Sequence, residues 1–151
     1  MPTALIAEDE PLLAAALRAE LATAWPELQV LATVGDGLSA VQQALALRPD
    51  VLFFDIRMPG QSGMDAAAEL ADAWDLDQRP FPALVFVTAY DQYAVDAFER
   101  EAIDYLLKPV TRERLAQTVT RLKNAVASDV PQAAPAPELA QILNLLARAG
   151  G

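Results

Sequence analysis

Short apolar runs alternate along the chain with longer stretches in which apolar residues recur every three or four positions. ALIA at 4–7, QVLATV at 29–34, VLFF at 51–54, ALVFV at 83–87 and YLL at 105–107 read as strands. VLFF, ALVFV and YLL are almost wholly apolar, as strands covered on both faces of a parallel sheet must be. Between them lie helical stripes. Leu13, Leu17 and Leu21 follow Glu10 and Pro11, a helix start signal. Val41, Ala44 and Leu45 form a second stripe, and Ala67, Leu70 and Ala71 a third. Residues 91–101 carry a fourth, with Ala94, Val95, Ala97 and Phe98. A fifth begins after Pro109, with Thr111 as N-cap and Leu115, Val119, Leu122 and Val126 on one face.

Strand and helix in strict alternation predict an α/β fold: a doubly wound, five-stranded parallel sheet with right-handed crossovers. In such sheets ligands bind beyond the carboxyl ends of the strands, at the point where strand order reverses. Chemistry is therefore expected just after each strand.

Composition narrows what that chemistry can be. The chain of 151 residues has neither cysteine nor histidine. Disulfides, thiolate nucleophiles, imidazole bases and Cys- or His-ligated metals are all excluded. What remains is carboxylate, hydroxyl, lysine, arginine and backbone, and any metal should be a hard, oxygen-bound cation such as magnesium or calcium. The net charge of −10 argues against a phosphate-backbone binder. No apolar run approaches the length of a membrane span, and MPTALIAEDE lacks the basic start of a signal peptide, so a cytoplasmic location is expected.

The charge is unevenly divided. Residues 1–109 carry −12 and residues 110–151 carry +2. A domain over 1–127 is expected to end in a Pro/Ala-rich linker, SDVPQAAPAP at 128–137. Residues 138–151 then form an amphipathic helix with Leu139, Ile142, Leu143 and Leu146 on one face. So short a helix needs a partner: the domain, a second copy, or something further along the chain.

Glu8 and Asp9 follow the first strand, Asp55 the third, Thr88 the fourth and Lys108 the fifth. In the inferred sheet all five open onto one crevice. Carboxylates 4 Å apart repel by about 4 kcal/mol per pair at an effective dielectric near 20, so a divalent cation is expected among them. With Lys108, such an ion balances three negative charges against three positive. The set suits phosphoryl transfer to Asp55 as nucleophile, with Lys108 and the Thr88 hydroxyl on phosphoryl oxygens. Singly, each residue also reads as an ordinary cap, turn or surface residue; the joint pattern is what carries the expectation.

At these residues (EDE at 8–10, DIRMPGQSG at 55–63, VTA at 87–89 and YLLKP at 105–109) the sequence resembles the receiver domain of two-component response regulators. The resemblance covers about residues 3–126, and FVTAYDQYAVDAFEREAIDYLLKPV is similar to receivers of the LytTR (LytR/AlgR) type. It implies a flavodoxin-like (βα)5 receiver fold with Asp55 as phosphoacceptor, loaded by a sensor histidine kinase or a small acyl phosphate. It also implies Mg2+ held directly by Asp9 and Asp55, through water by Glu8, and by the Arg57 backbone carbonyl. Thr88 and Lys108 would contact the phosphoryl group, a cis peptide would precede Pro109, and Tyr105 would turn inward as Thr88 moves toward the phosphate. Such a chain is a signalling phosphoacceptor, not an enzyme with an external substrate. Its output face would join the fourth helix, fifth strand and fifth helix, present Val95, Phe98 and Tyr105, and support a homodimer. A DNA-binding output domain would follow the tail helix, while the fragment itself binds neither nucleic acid nor membrane.

Two features depart from the pattern. Glu8 stands where an Asp is more usual, and WDLDQRPFP at 74–82 makes a long connection, with Trp74 and Phe81 expected as lids over apolar surface. Bulky Arg57 and Tyr90, two positions after Asp55 and Thr88, suggest slow self-dephosphorylation. Three other readings compete. A freestanding receiver acting by protein contact or phosphorelay is the nearest. A haloacid-dehalogenase-type phosphatase needs a second Asp where Arg57 stands. A dinucleotide fold needs a third glycine that GDG at 35–37 lacks.

Overall fold

The computed structural model describes residues 2–77, 80–89 and 102–127. Five strands, β1 (Thr3–Ala7), β2 (Gln29–Val34), β3 (Val51–Asp55), β4 (Ala83–Thr88) and β5 (Asp104–Leu107), form one parallel sheet in the order β2-β1-β3-β4-β5. Four helices are described: α1 (Pro11–Ala24), α2 (Gly37–Leu47), α3 (Gly63–Ala73) and α4 (Arg112–Ala127). The helix expected at 91–101, with Val95 and Phe98, and the linker and helix expected over 128–151 lie outside the described residues.

Period-two alternation divides the core between the two faces of the sheet. Leu5, Leu52, Phe54, Leu84, Phe86 and Tyr105 pack with α2 and α3 residues such as Val41, Ala44, Ala67 and Leu70. Ile6, Val51, Phe53, Val85 and Leu106 pack with Leu21 of α1 and with Leu115, Val119 and Leu122 of α4. The expected α4 stripe is thus the buried one, and Thr111 caps the helix by accepting from the Arg114 N–H at 3.2 Å. On α1 the expectation needs correcting. Ala14 and Leu21 are buried but Leu13 is 39% exposed, so the buried face of the first turn runs through Ala14 rather than Leu13. Ala71 is likewise exposed on α3.

Trp74 and Phe81 meet edge to face, with ring centroids 5.6 Å apart, against the α2/α3 side of the core. No described helix is long and apolar enough to cross a membrane.

Candidate functional site at the strand ends

Sheet order reverses between β1 and β3, and the chemistry-bearing residues flank that point. Alternation brings three of them to one side. Glu8 continues the face of Ala4 and Ile6, Asp55 that of Val51 and Phe53, and Lys108 that of Leu106. Thr88 continues the opposite face, that of Leu84 and Phe86, which Tyr105 shares.

The turn after β3 is fixed by a close backbone approach. The Gly63 N–H donates to the Ile56 carbonyl at 2.8 Å, and a Cβ at Gly63 would lie 2.0 Å from the Asp55 carbonyl oxygen. Only glycine fits there. Gly60, at φ 75°, completes the same turn. Ser62 then caps α3 by accepting from the Asp65 N–H at 3.1 Å. Beside Asp9, the turn residues 56–60 with Ser62, Met64 and Asp65 border an open groove of about 700 Å³.

Glu8, Asp9 and Asp55 each place a carboxylate oxygen within 4.8 Å of the others. Glu8 and Asp55 are buried, at 8% and 5% exposure, and Asp9 is exposed. Lys108 bridges the buried pair, its Nζ donating to Glu8 Oε1 and, at 3.1 Å, to Asp55 Oδ2. The Arg57 N–H donates to Asp55 Oδ1 at 3.3 Å. Thr88 is buried, and its carbonyl accepts from the Lys108 N–H at 2.7 Å. The Lys108–Pro109 peptide is cis.

One ammonium does not satisfy three carboxylates. Glu8 Oε2 is buried with no hydrogen-bond partner, an arrangement proteins seldom leave without a reason. Burial, reinforced by the neighbouring Asp55 carboxyl, pushes Glu8 up to about 7 against the opposing pull of Lys108. Burial alone would lower Lys108, but its hydrogen bonds to Glu8 and Asp55 outweigh it and hold the ammonium above its ordinary value. Three hard oxygen donors, a residual charge of −2 and a bare buried carboxylate oxygen fit a divalent cation of the magnesium class.

The family model for the response regulator receiver domain matches residues 4–120. The chain belongs to that family. It is 44% identical over 142 residues to an uncharacterized response regulatory protein of Vibrio cholerae, covering 94% of this chain and 51% of the relative. It is 40% identical over 119 residues to the transcriptional regulatory protein BtsR of Escherichia coli, covering 79% of this chain and 47% of BtsR. The chain thus spans about half the length of these curated relatives. The response regulatory domain of mrkE from Klebsiella pneumoniae superposes with a TM-score of 0.74 at 30% identity, over 82% of this chain and 97% of that one. The five-stranded parallel sheet with its helices is the flavodoxin-like receiver fold. Receivers are signalling proteins rather than classical enzymes.

Two features of this receiver were not visible in the sequence pattern. Asp104, in the first position of β5, is fully buried and bound to Arg114, Thr118 and Arg121 of α4. Its signal was a lone acid inside an apolar run, next to a polar stripe at 114, 118 and 121 that parallels the apolar stripe at 115, 119 and 122. Gly63 was present in DIRMPGQSG, but its role follows only from the approach to Asp55. Tyr105, at 9% exposure, lies on the same face of the sheet as Phe86 and belongs to the core cluster there.

Proposed function

We propose that this receiver is the phosphorylation-switched input domain of a LytTR-type transcriptional regulator, working in the cytoplasm with a sensor histidine kinase as phosphodonor. The observation that carries the reading is the convergence of Glu8, Asp9, Asp55 and Lys108 around a buried carboxylate oxygen with no partner. The motif run from VTA to LLKPV and the likeness to a transcriptional regulatory protein support the LytTR assignment.

An Asp55 carboxylate oxygen attacks phosphorus, the donor's bond to phosphorus breaks, and an acyl phosphate forms. Glu8, Asp9, Asp55 and the Arg57 carbonyl would hold Mg2+, which neutralises charge on the transferring group. Lys108, released from Asp55 Oδ2, takes a phosphoryl oxygen as a point charge. The Thr88 hydroxyl takes another, and its movement alters the space beside Tyr105 on the same face of the sheet. The added charge thereby biases the face built from β5 and α4 toward a homodimer that positions a DNA-binding output domain.

Acetyl phosphate with magnesium tests this on wild type and Asp55→Asn, by intact mass and by sedimentation. One phosphoryl group and a higher dimer fraction are expected for wild type alone. An unmodified wild type rejects the phosphoacceptor role. Modification without any change in association or conformation rejects the switch. A second reading, a freestanding receiver that relays by protein contact, would show modification with no effect on DNA binding by the natural full-length protein.

A further inference from the structure

β5 is four residues long, pairs with β4 alone in the sheet, and delivers Lys108 directly from its end. Its position must nevertheless be accurate. Strand residues advance by about 3.3 Å each, so a slip of one residue would move Lys108 by more than its 3.1 Å reach to Asp55. The strand is anchored at its other end. The Asp104 carboxylate accepts from Arg114 Nη1 at 2.9 Å and Nη2 at 2.5 Å, from Thr118 Oγ1 at 2.6 Å, from Arg121 Nη1 at 3.0 Å and from the Tyr105 N–H at 2.8 Å. Arg114 Nη2 also donates to the Tyr105 carbonyl at 3.2 Å, so the cluster grips the backbone on both sides of Tyr105.

The other end of the grip is rigid. Leu115, Val119 and Leu122 are 1%, 3% and 0% exposed in the core, on the stripe next to the three donors. Asp104, Leu106 and Lys108 alternate onto one face at β5, so the backbones of the anchor and of Lys108 stand about 13 Å apart along the strand. Two guanidinium groups on one carboxylate exceed what charge balance requires. The planar fork of Arg114 supplies direction as well as charge.

We infer that the Asp104–Arg114–Thr118–Arg121 cluster is a positioning device that sets the height of β5, and so the reach of Lys108 into the carboxylate site and the backbone about which the Tyr105 ring turns. The inference rests on the phosphoacceptor reading only for its functional consequence; the placement of Lys108 can be observed separately.

The sequence holds two lysines, Lys108 and the exposed Lys123, so a Lys123→Arg background leaves one lysine for 15N labelling. In that background the Lys108 ammonium signal, beryllofluoride affinity in the presence of magnesium, and thermal stability are compared across Asp104→Asn, Arg114→Gln and Leu115→Ala. The first two are expected to move the Lys108 signal toward that of an exposed lysine and to weaken beryllofluoride about tenfold, the low end of the cost of losing an outer-shell partner. Leu115→Ala, which loosens the same helix through its apolar stripe but keeps every bond to Asp104, is expected to lower stability while moving signal and affinity less than either cluster variant. Should Asp104→Asn not fold, Arg121→Gln removes a single 3.0 Å bond and is expected to move the signal in the same direction. The inference is overturned if the cluster variants lower stability with the Lys108 signal unmoved, or if Leu115→Ala moves it equally. A wild type that ignores beryllofluoride, with the signal still shifted by Asp104→Asn, rejects the phosphoacceptor role and keeps the positioning one.

Discussion

Two buried carboxylates in this receiver live in opposite surroundings. Glu8 shares its end of the sheet with Asp9 and Asp55, receives one ammonium, and keeps an oxygen with no partner. Asp104 is fully buried and receives five hydrogen bonds. Burial raises both, but at Asp104 the hydrogen bonds from Arg114 and Thr118 reverse the shift and hold the carboxyl below its usual range. At Glu8 burial and Asp55 prevail. The first site is left for a ligand to complete; the second is already complete and serves to hold the strand.

The contrast breaks most visibly at Asp104. Asp104→Ala strands two arginines that are 35% and 25% exposed, and is expected to cost about 3 kcal/mol, measured by urea unfolding. If the cost stays below about 0.5 kcal/mol, Asp104 is no more than a surface-type pair. The stabilising charge is present above the ordinary carboxylate range and is lost as pH falls through the lowered value of Asp104, so the variant should also lose part of the acid transition.

At the other site a ligand should do what Arg114 and Arg121 do for Asp104. Magnesium at a hundred times its Kd is expected to stabilise the protein by about 2.7 kcal/mol, and a chelator to reverse it. An unchanged melting temperature up to millimolar magnesium would mean that Glu8, Asp9 and Asp55 do not hold a divalent ion. Glu8→Gln comes next. The raised value of Glu8 means that its protonated form supports the fold below about pH 4.5 and that this support is lost as pH rises through about 7. The variant should therefore be more stable than the metal-free wild type at pH 8, by on the order of 2 kcal/mol, and flat between pH 4.5 and 7. Equal pH profiles for the two proteins would mean that Glu8 ionises freely. Thr111→Ala, which removes the cap of the helix carrying the Asp104 donors, is expected to cost about 1 kcal/mol. Thermal unfolding resolves that difference.

The two regions also differ in how far they could be read from sequence. The strand-end site was legible because strand positions put Glu8, Asp55, Thr88 and Lys108 after successive apolar runs, and topology alone brings such positions together. Strand boundaries followed for the same reason: apolar runs such as VLFF and ALVFV leave little choice of register. The Asp104 cluster was not legible, since nothing in spacing says that an acid on β5 meets arginines ten and seventeen residues later; that depends on the angle at which α4 crosses the sheet. Arg121 lies on the polar stripe of α4, and the buried Asp104 carboxylate holds it at 25% exposure. The exposed Leu13 failed for a related reason, because a helical stripe fixes a face but not where the core ends.

The most direct test of the central claim is chemical. Acetyl phosphate and magnesium, followed by borohydride reduction and peptide mapping, converts an aspartyl phosphate to homoserine and so marks the residue that carried it. Homoserine is expected at Asp55, dependent on magnesium, with none at Asp9. Homoserine at another aspartate, or none at all, would contradict that claim.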